Sequence, residues 1–343
     1  MPLMQDKPRQ ADLELCEETI RAGSKSFYAA SLLLPKRLRL DAFALYAFCR
    51  QSDDLVDLGS LGPAAIVELE RRLDLASRGT PRAHPVDRAF ADVMARHGLP
   101  RALPAALIEG FAWDVDGRRY ATLEDLLDYA ARVAGSVGAM MAVLMGARSR
   151  GALARATDLG LAMQLTNIAR DVGEDARNGR IYLPLDWLAE EGVDPEAWLR
   201  APEPTPGIAR VVERLLAVAE EYYRRGEAGV AFLPGDCRTA IRAAARIYAD
   251  IGRKLARAGH DSVTRRTFVS KSRKLALVAS AGLPVPVDAT RLELPPAGAN
   301  AFLVDATARR CALRSVPEGP FATMLDLLMR IDERQARAAR PEA

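Results

Sequence analysis

Histidine is nearly missing from this chain. There are three in 343 residues, His84, His97 and His260, and no H-E-x-x-H. Histidine-based zinc catalysis has almost no material to work with. Cysteine is as sparse: Cys16, Cys49, Cys237 and Cys311 lie far apart with no C-x-x-C pair. That argues against a disulfide framework or a structural zinc site and fits a reducing cytosol. An excess of one charge sign is missing too. Lys plus Arg total 48 against 45 Asp plus Glu, a net of +3. So small a surplus does not mark a nucleic-acid protein, and no nucleic-acid partner is expected. The N-terminal stretch carries charges from Asp6 onward and shows no apolar h-region, so no secretory signal is visible and a cytoplasmic location is expected. The longest uncharged run, Val133 to Ala147, is shorter than the ~20 residues of a membrane span and reads as a buried helix with small residues for close packing.

Strand signals are scarce as well, and few stretches alternate with period two. What the chain has instead is Ala, Leu, Arg and Glu, with apolar residues at i, i+3, i+4 and i+7. Asp41 to Asp57, Asp125 to Met145, Thr157 to Glu174, Gly207 to Gly226, Thr239 to Ala258 and Phe321 to Arg337 all read as amphipathic helices. Breakers fall between them at Gly59 to Pro63, Pro202 to Gly207 and Pro234-Gly235. Thr122 is placed to cap a helix. The expected fold is all-α, and 49% hydrophobic residues suffice for a large core. Length alone suggests about two domains, yet no composition shift divides the chain and no internal repeat is evident. Residues 1–281 read as one helical domain. Residues 282–343 read as a proline-rich linker or surface loop, Gly282 to Asn300, followed by a helical extension packed on the same domain.

Two acidic clusters carry the chemistry. The first is YAFCRQSDDLVD, Tyr46 to Asp57. At about 100° per residue, Tyr46, Arg50, Asp53 and Asp57 fall within roughly 60° on one helix face, and Asp54 lies on its flank. The second is QLTNIARDVGEDARNGRIYLP, Gln164 to Pro184. There Gln164, Asn167, Asp171 and Asp175 form a polar stripe about 80° wide, with Arg170 beside it and Arg180 and Tyr182 just past the helix end. A single D-x-x-x-D on a helix is ordinarily a solvated face. Two pairs continuing from apolar helices differ, because like charges one turn apart repel and need a counter-ion if they face each other in a bundle. Mg²⁺ takes oxygen ligands and is commonly shared between carboxylates and substrate phosphates, so opposed Asp pairs suit a Mg²⁺–diphosphate complex. Arg50, Arg170 and Arg180 could complete the neutralisation.

These motifs, with GSKSF (Gly23 to Phe27), YARVAGSVG (Tyr129 to Gly138) and the weaker IYADI and RRTFVSKSRKL (Ile247 to Leu275), resemble the squalene/phytoene synthase family over about residues 12–280. The wording is most similar to its bacterial phytoene-forming members. The resemblance implies an isoprenoid-synthase-like single-domain helical bundle around a central cavity. It implies head-to-head condensation of two geranylgeranyl diphosphates, through prephytoene diphosphate, to phytoene. It also implies Mg²⁺ or Mn²⁺ bound through the substrate diphosphate. By position, Asp53, Asp57, Asp171 and Asp175 match the metal-binding acids, with Asn167 beside them. Arg50 and Tyr129 join those acids as catalytic candidates. Arg170, Arg180, Tyr182, Tyr248 and Arg266 match substrate-holding positions, as do Ser24, Ser26 and Phe27 in a closing segment and Gln164 in the cavity. His260 stands where relatives often have Tyr, and the chain after about residue 282 matches nothing in the family pattern. Two alternatives remain open here: squalene or dehydrosqualene synthesis from farnesyl diphosphate, and a non-catalytic assembly role. An insoluble hydrocarbon product and the basic run Arg265 to Lys274 further suggest peripheral contact with the inner face of the cell membrane.

Overall fold

The computed structural model describes residues 10–57, 61–283 and 286–314. The expected helix Phe321 to Arg337 lies outside the described residues. Among those described there are sixteen α-helices and no strand. Helices α1 (Gln10–Gly23), α2 (Lys25–Ser31), α3 (Lys36–Asp57), α4 (Pro63–Ser77), α5 (Pro85–His97) and α6 (Ala102–Val115) build one side of the bundle. Then follow α7 (Leu123–Ala130), α8 (Ser136–Leu144) and the long α9 (Arg150–Arg177). The second side comprises α10 (Leu185–Glu190), α11 (Pro195–Arg200), α12 (Pro206–Gly229), α13 (Gly235–Arg257) and α14 (Lys271–Ala281). Finally α15 (Ala289–Leu292) and α16 (Ala301–Arg314) return across the bundle.

Local chemistry sets where the main helices begin. Ser149, Thr205 and Ser270 each accept a bond from a backbone amide three residues on, capping α9, α12 and α14. Thr122 and Asp125 form a reciprocal capping box on α7, as the sequence pattern predicts for Thr122. Pro206 occupies the first turn of α12, where a missing N–H is harmless. Apolar spacing then decides which face is buried. Along α3, Ala42, Leu45 and Phe48 turn inward, and the Phe48 ring stacks on Phe90 of α5 with centroids 3.9 Å apart. A buried carboxylate on α1, Asp12, takes two bonds from Arg88 of α5 and ties those helices together.

The core forms two apolar clusters, one around the first part of α9 up to Leu161 and one around the rest from Ala162. Phe27, Leu127, Val133 and Tyr222 pack against both and form the seam. Helix α9 is its axis, 28 residues or about 42 Å long. Two glycines allow close approach along it. A Cβ on Gly160 would lie 2.4 Å from the Ala134 carbonyl oxygen, and one on Gly138 would lie 2.3 Å from that of Ala156. The backbones therefore touch where α8 crosses α9.

Two expectations need correction. The helix read as Asp125 to Met145 is interrupted by a π-helical turn, Ala131–Gly135, in which the Ser136 N–H bonds back to the Ala131 carbonyl. The whole run Leu123–Leu144 is long and apolar enough, by length and composition, to cross a membrane. It exceeds the uncharged run because it also takes in the polar first turns of α7, and it packs here against α6 and α9. The segment Gly282 to Asn300 is also more than a surface loop. Buried Arg155 of α9 donates to the carbonyls of Arg291 (2.6 Å), Leu294 (2.9 Å) and Pro295 (3.0 Å), and pairs with Asp158 at 2.7 Å. Those bonds strap the proline-rich stretch to the bundle. Beyond it α16 buries Leu303, Val304 and Thr307. Because its partners are backbone carbonyls, this strap leaves no side-chain pattern by which to expect it.

Candidate active site

The C-terminal ends of α3 and α9 share one mouth. Arg180, in the turn after α9, donates to Asp57 of α3 at 2.9 Å. On α3, Arg50 pairs with Asp53 at 3.2 Å and Asp54 at 2.5 Å. On α9, Arg170 binds Asp171 with two bonds, 2.7 and 2.5 Å. Arg266, from the loop before α14, reaches the same carboxylate at 2.8 Å and Glu174 at 3.0 Å. Three of the four key carboxylates thus hold an arginine. Asp175 holds none among the described residues.

Burial and crowding raise several acids here. Asp53 is pushed up to about 6 by burial and then by Asp57. Asp175 is pushed up to about 8 by burial, then by Asp171 and Glu174. A third carboxylate, Asp114 near the end of α6, is pushed up to about 6 by burial, against the pull of the hydrogen bonds from Tyr182 and Tyr129. Its charge reaches both Asp53 and Asp175, which places it between the two acidic helices.

Asp114 is the residue that sequence reasoning missed. The hydroxyls of Tyr129 and Tyr182 donate to it at 2.8 and 2.7 Å. Those two rings stack at 5.3 Å and both lie against Tyr120. The only hint in the sequence is a carboxylate closing the apolar stretch ALPAALIEGFAWDV of α6, which matches neither acidic motif.

The closing segment sits opposite. Ser24 caps α2, accepting from the Phe27 amide at 3.2 Å. Ser26 is half-buried on the same short helix. The Phe27 ring stacks on buried Tyr248 of α13 at 4.9 Å and leans on Tyr46 at 6.2 Å. A Cβ on Gly23 would meet the Tyr46 hydroxyl at 2.6 Å, so the corner between α1 and α2 lies directly against the tip of this α3 side chain.

Below the mouth runs a cavity of ≈ 320 Å³. Its walls are almost wholly apolar, including Leu45, Val137, Met141, Met163 and Ile241, with Gln164 and Asn167 at its polar rim. Asn167 Nδ2 donates to Gln164 at 3.4 Å, while the buried Asn167 Oδ1 has no partner. An unpartnered carbonyl oxygen beside crowded carboxylates is an oxygen-rich donor set short of positive charge, and it fits a hard divalent cation. Among the described residues no three acids sit close enough to hold an ion by themselves. A cation there would share its coordination with substrate oxygens and water. The structure thus gathers the sequence-predicted residues around this cavity and its mouth. Arg266 is the most exposed of the arginines that reach a carboxylate on α9.

A helical bundle with paired acids, partnered arginines and an apolar cavity fits an enzyme of the prenyltransferase type. The chain belongs to the squalene/phytoene synthase family, whose pattern matches residues 20–273. It is 53% identical to a phytoene synthase of Rhodobacter capsulatus, over 88% of this chain and 91% of that protein. It is 49% identical to a phytoene synthase of Cereibacter sphaeroides, over 92% and 94%. Among solved structures, a dehydrosqualene synthase in complex with ligand superposes with a TM-score of 0.73 at 35% identity, covering 79% of this chain and 95% of the other. Membership of this family makes the protein a diphosphate-binding isoprenoid synthase.

Proposed function

We propose that the protein is a 15-cis-phytoene synthase. Two geranylgeranyl diphosphates condense head to head to prephytoene diphosphate with loss of one diphosphate and one proton. Ionisation of the second diphosphate, rearrangement and loss of a proton then give phytoene. The observation that carries this reading is the pairing of α3 and α9 through Arg180 and Asp57 at the rim of an apolar cavity. Two relatives named phytoene synthase, matched over most of their length, support the substrate.

Each part has a physical task. Asp53, Asp57, Asp171, Asp175 and Asn167 would hold Mg²⁺ or Mn²⁺ through the substrate diphosphate, and the cation would neutralise charge on the departing oxygens. Arg50, Arg170, Arg180 and Arg266 already point at these acids and can exchange carboxylate for phosphate oxygens, which guanidinium binds equally well. The cavity excludes water, which would otherwise quench the carbocation as an alcohol. Phe27 and Tyr46 close its upper end with aromatic faces, which favour a passing cation, and Tyr248 stacks behind Phe27.

The test is product analysis. Purified protein with Mg²⁺ and geranylgeranyl diphosphate should yield phytoene and diphosphate, and Asp53→Ala or Asp171→Ala should abolish both. Full activity in either variant would refute the site. The similarity to a dehydrosqualene synthase supports a second reading, condensation of farnesyl diphosphate. Turnover of that substrate alone, with and without NADPH, would favour it instead.

A further inference from the structure

A second hollow, ≈ 290 Å³, lies between α12 and α13 where both pack on α9. Its walls come from Leu216, Glu220 and Tyr223 of α12 and from Ala249, Arg253 and Ala256 of α13. From residue 216 to 223, and from 249 to 256, each wall runs about 10 Å along its helix. The trough is separate from the reaction cavity but only one helix layer away. The residue after its Thr166, Asn167, lines the reaction cavity, and the residue before its Ala249, Tyr248, stacks behind Phe27.

Two buried hydroxyls form one end of the trough. Thr166 lies 2.8 Å from the Ala162 carbonyl, which can only accept, and 3.0 Å from the Tyr223 hydroxyl. A threonine has one hydroxyl proton, and the carbonyl takes it. The Tyr223 proton therefore goes to Thr166, and the phenol oxygen keeps an acceptor position with no donor among the described residues. Tyr223 is 7% exposed, and burial pushes its phenol well above the ordinary value, so it stays protonated. A buried acceptor without a donor calls for a partner.

The other end and the rim carry the opposite chemistry. His260 closes that end with a left-handed φ of 59°, a backbone conformation that side-chain-bearing residues seldom adopt. Its amide donates to the Leu255 carbonyl at 3.0 Å, which fixes it against the last turn of α13. Half-way along the rim, Arg253 reaches Glu220 only at 3.9 Å. That is too far for a hydrogen bond, so the guanidinium donors stay available to an anion.

We propose that this trough binds a small para-hydroxyphenyl carboxylic acid. The ligand's phenol donates to the Tyr223 oxygen, its ring and short arm lie along Ala249 and Ala256, and its carboxylate meets Arg253 and His260. A prenyl chain is too long for the trough and would leave the Tyr223 oxygen unpaired. An amine would face the Arg253 cation. Binding here does not depend on the proposed reaction and is read without turnover.

Titration calorimetry of the full chain with para-hydroxyphenylpropionate tests it. A dissociation constant of about 10 µM to 1 mM is expected for a ligand of this size. Phenylpropionate, which lacks the phenol hydroxyl, should bind roughly 3- to 10-fold more weakly. Arg253→Gln, a change at an exposed position, should weaken the probe about 10-fold. Ala256→Phe fills the trough from its exposed rim and should abolish binding while the melting temperature stays within about 2 °C. Mg²⁺ with inorganic diphosphate should leave the probe bound. Displacement by that pair would place the probe in the reaction cavity and overturn the proposal. So would the absence of binding up to about 5 mM probe, equal affinity for the hydroxyl-free acid, or wild-type affinity in Ala256→Phe.

Discussion

Arg180 and Asp57, 123 residues apart in the chain, meet at 2.9 Å. This pair joins the turn after α9 to the last residue of α3 and brings the two acidic motifs to a common rim. Both side chains are about one-third to two-fifths exposed, so the pair adds little stability, on the order of 0–1 kcal/mol. Arg180→Ala should leave the melting temperature within about 2 °C. The same change should raise KM for the prenyl diphosphate roughly 10- to 100-fold, if the guanidinium passes to phosphate on binding. A large drop in thermal stability with unchanged KM would place its role in the fold instead.

Asp114 should matter as much as either motif. Asp114→Asn keeps the shape but replaces a carboxylate that accepts from Tyr129 and Tyr182. Loss of hydrogen bonds to a charged acceptor costs about 1.5–3 kcal/mol, or roughly 10- to 150-fold in kcat/KM. Tyr129→Phe should cost a similar factor. The double variant should be no worse than the poorer single one, because both act through one contact. Strictly additive losses in steady-state kinetics would break the assignment.

Asp53 and Asp175 are raised to about 6 and about 8, above their unfolded range near 4. A raised carboxyl favours folding only while it is protonated. That contribution is therefore complete below about pH 4 and is lost as pH climbs through 6 to 8. Metal-free protein should melt at a lower temperature at pH 8.5 than at pH 6. Mg²⁺ with inorganic diphosphate should restore more at pH 8.5, where the acids are ionised without competition from protons. Scanning calorimetry at the two pH values decides this, and an equal shift at both would contradict it.

Gly160→Ala inserts a methyl 2.4 Å from a backbone carbonyl, which cannot rotate away. Overpacking of this kind costs about 1–3 kcal/mol. The variant should show a lower denaturation midpoint in urea and altered cavity walls. A neutral result would mean that α8 and α9 can slide apart.

Arg155→Met removes one of two arginines that pair with buried Asp158, leaving Arg225 at 3.0 Å, and three carbonyl contacts to residues 291–295. Breaking a buried pair from one side costs about 3–5 kcal/mol when no partner is left, and less here because Arg225 stays. Limited proteolysis should then cut near Leu294, where the wild-type chain resists.

How much of this could be read in advance depended on the kind of contact. Helices α3, α9, α12 and α13 announced themselves through apolar spacing, and their acidic ends through i, i+4 pairs. Short helices such as α10 and α15 are held by tertiary packing and leave no periodic trace. Asp114 escaped because it lies in no motif and gains meaning only when α6 places it opposite two tyrosines. The strap at Arg155 escaped because carbonyl partners carry no side-chain signature. The π-turn at Ala131–Gly135 escaped because its residues are ordinary helix formers.

That turn has a consequence for how the prenyl cavity can change. A π-turn is a single extra residue held inside a helix, and closing it to an α-turn would rotate everything downstream by about 100°. Val137, Met141 and Met145 face the cavity because the wide turn takes that residue up. Deleting Ala134 would turn this stretch into regular α-helix and leave those three side chains on the same face, whereas tightening the turn with no residue removed would swing them off it. The wide turn thus acts as a take-up reel: a codon lost there leaves the tunnel lining in register, and the helix beyond it keeps its bearing on the substrate.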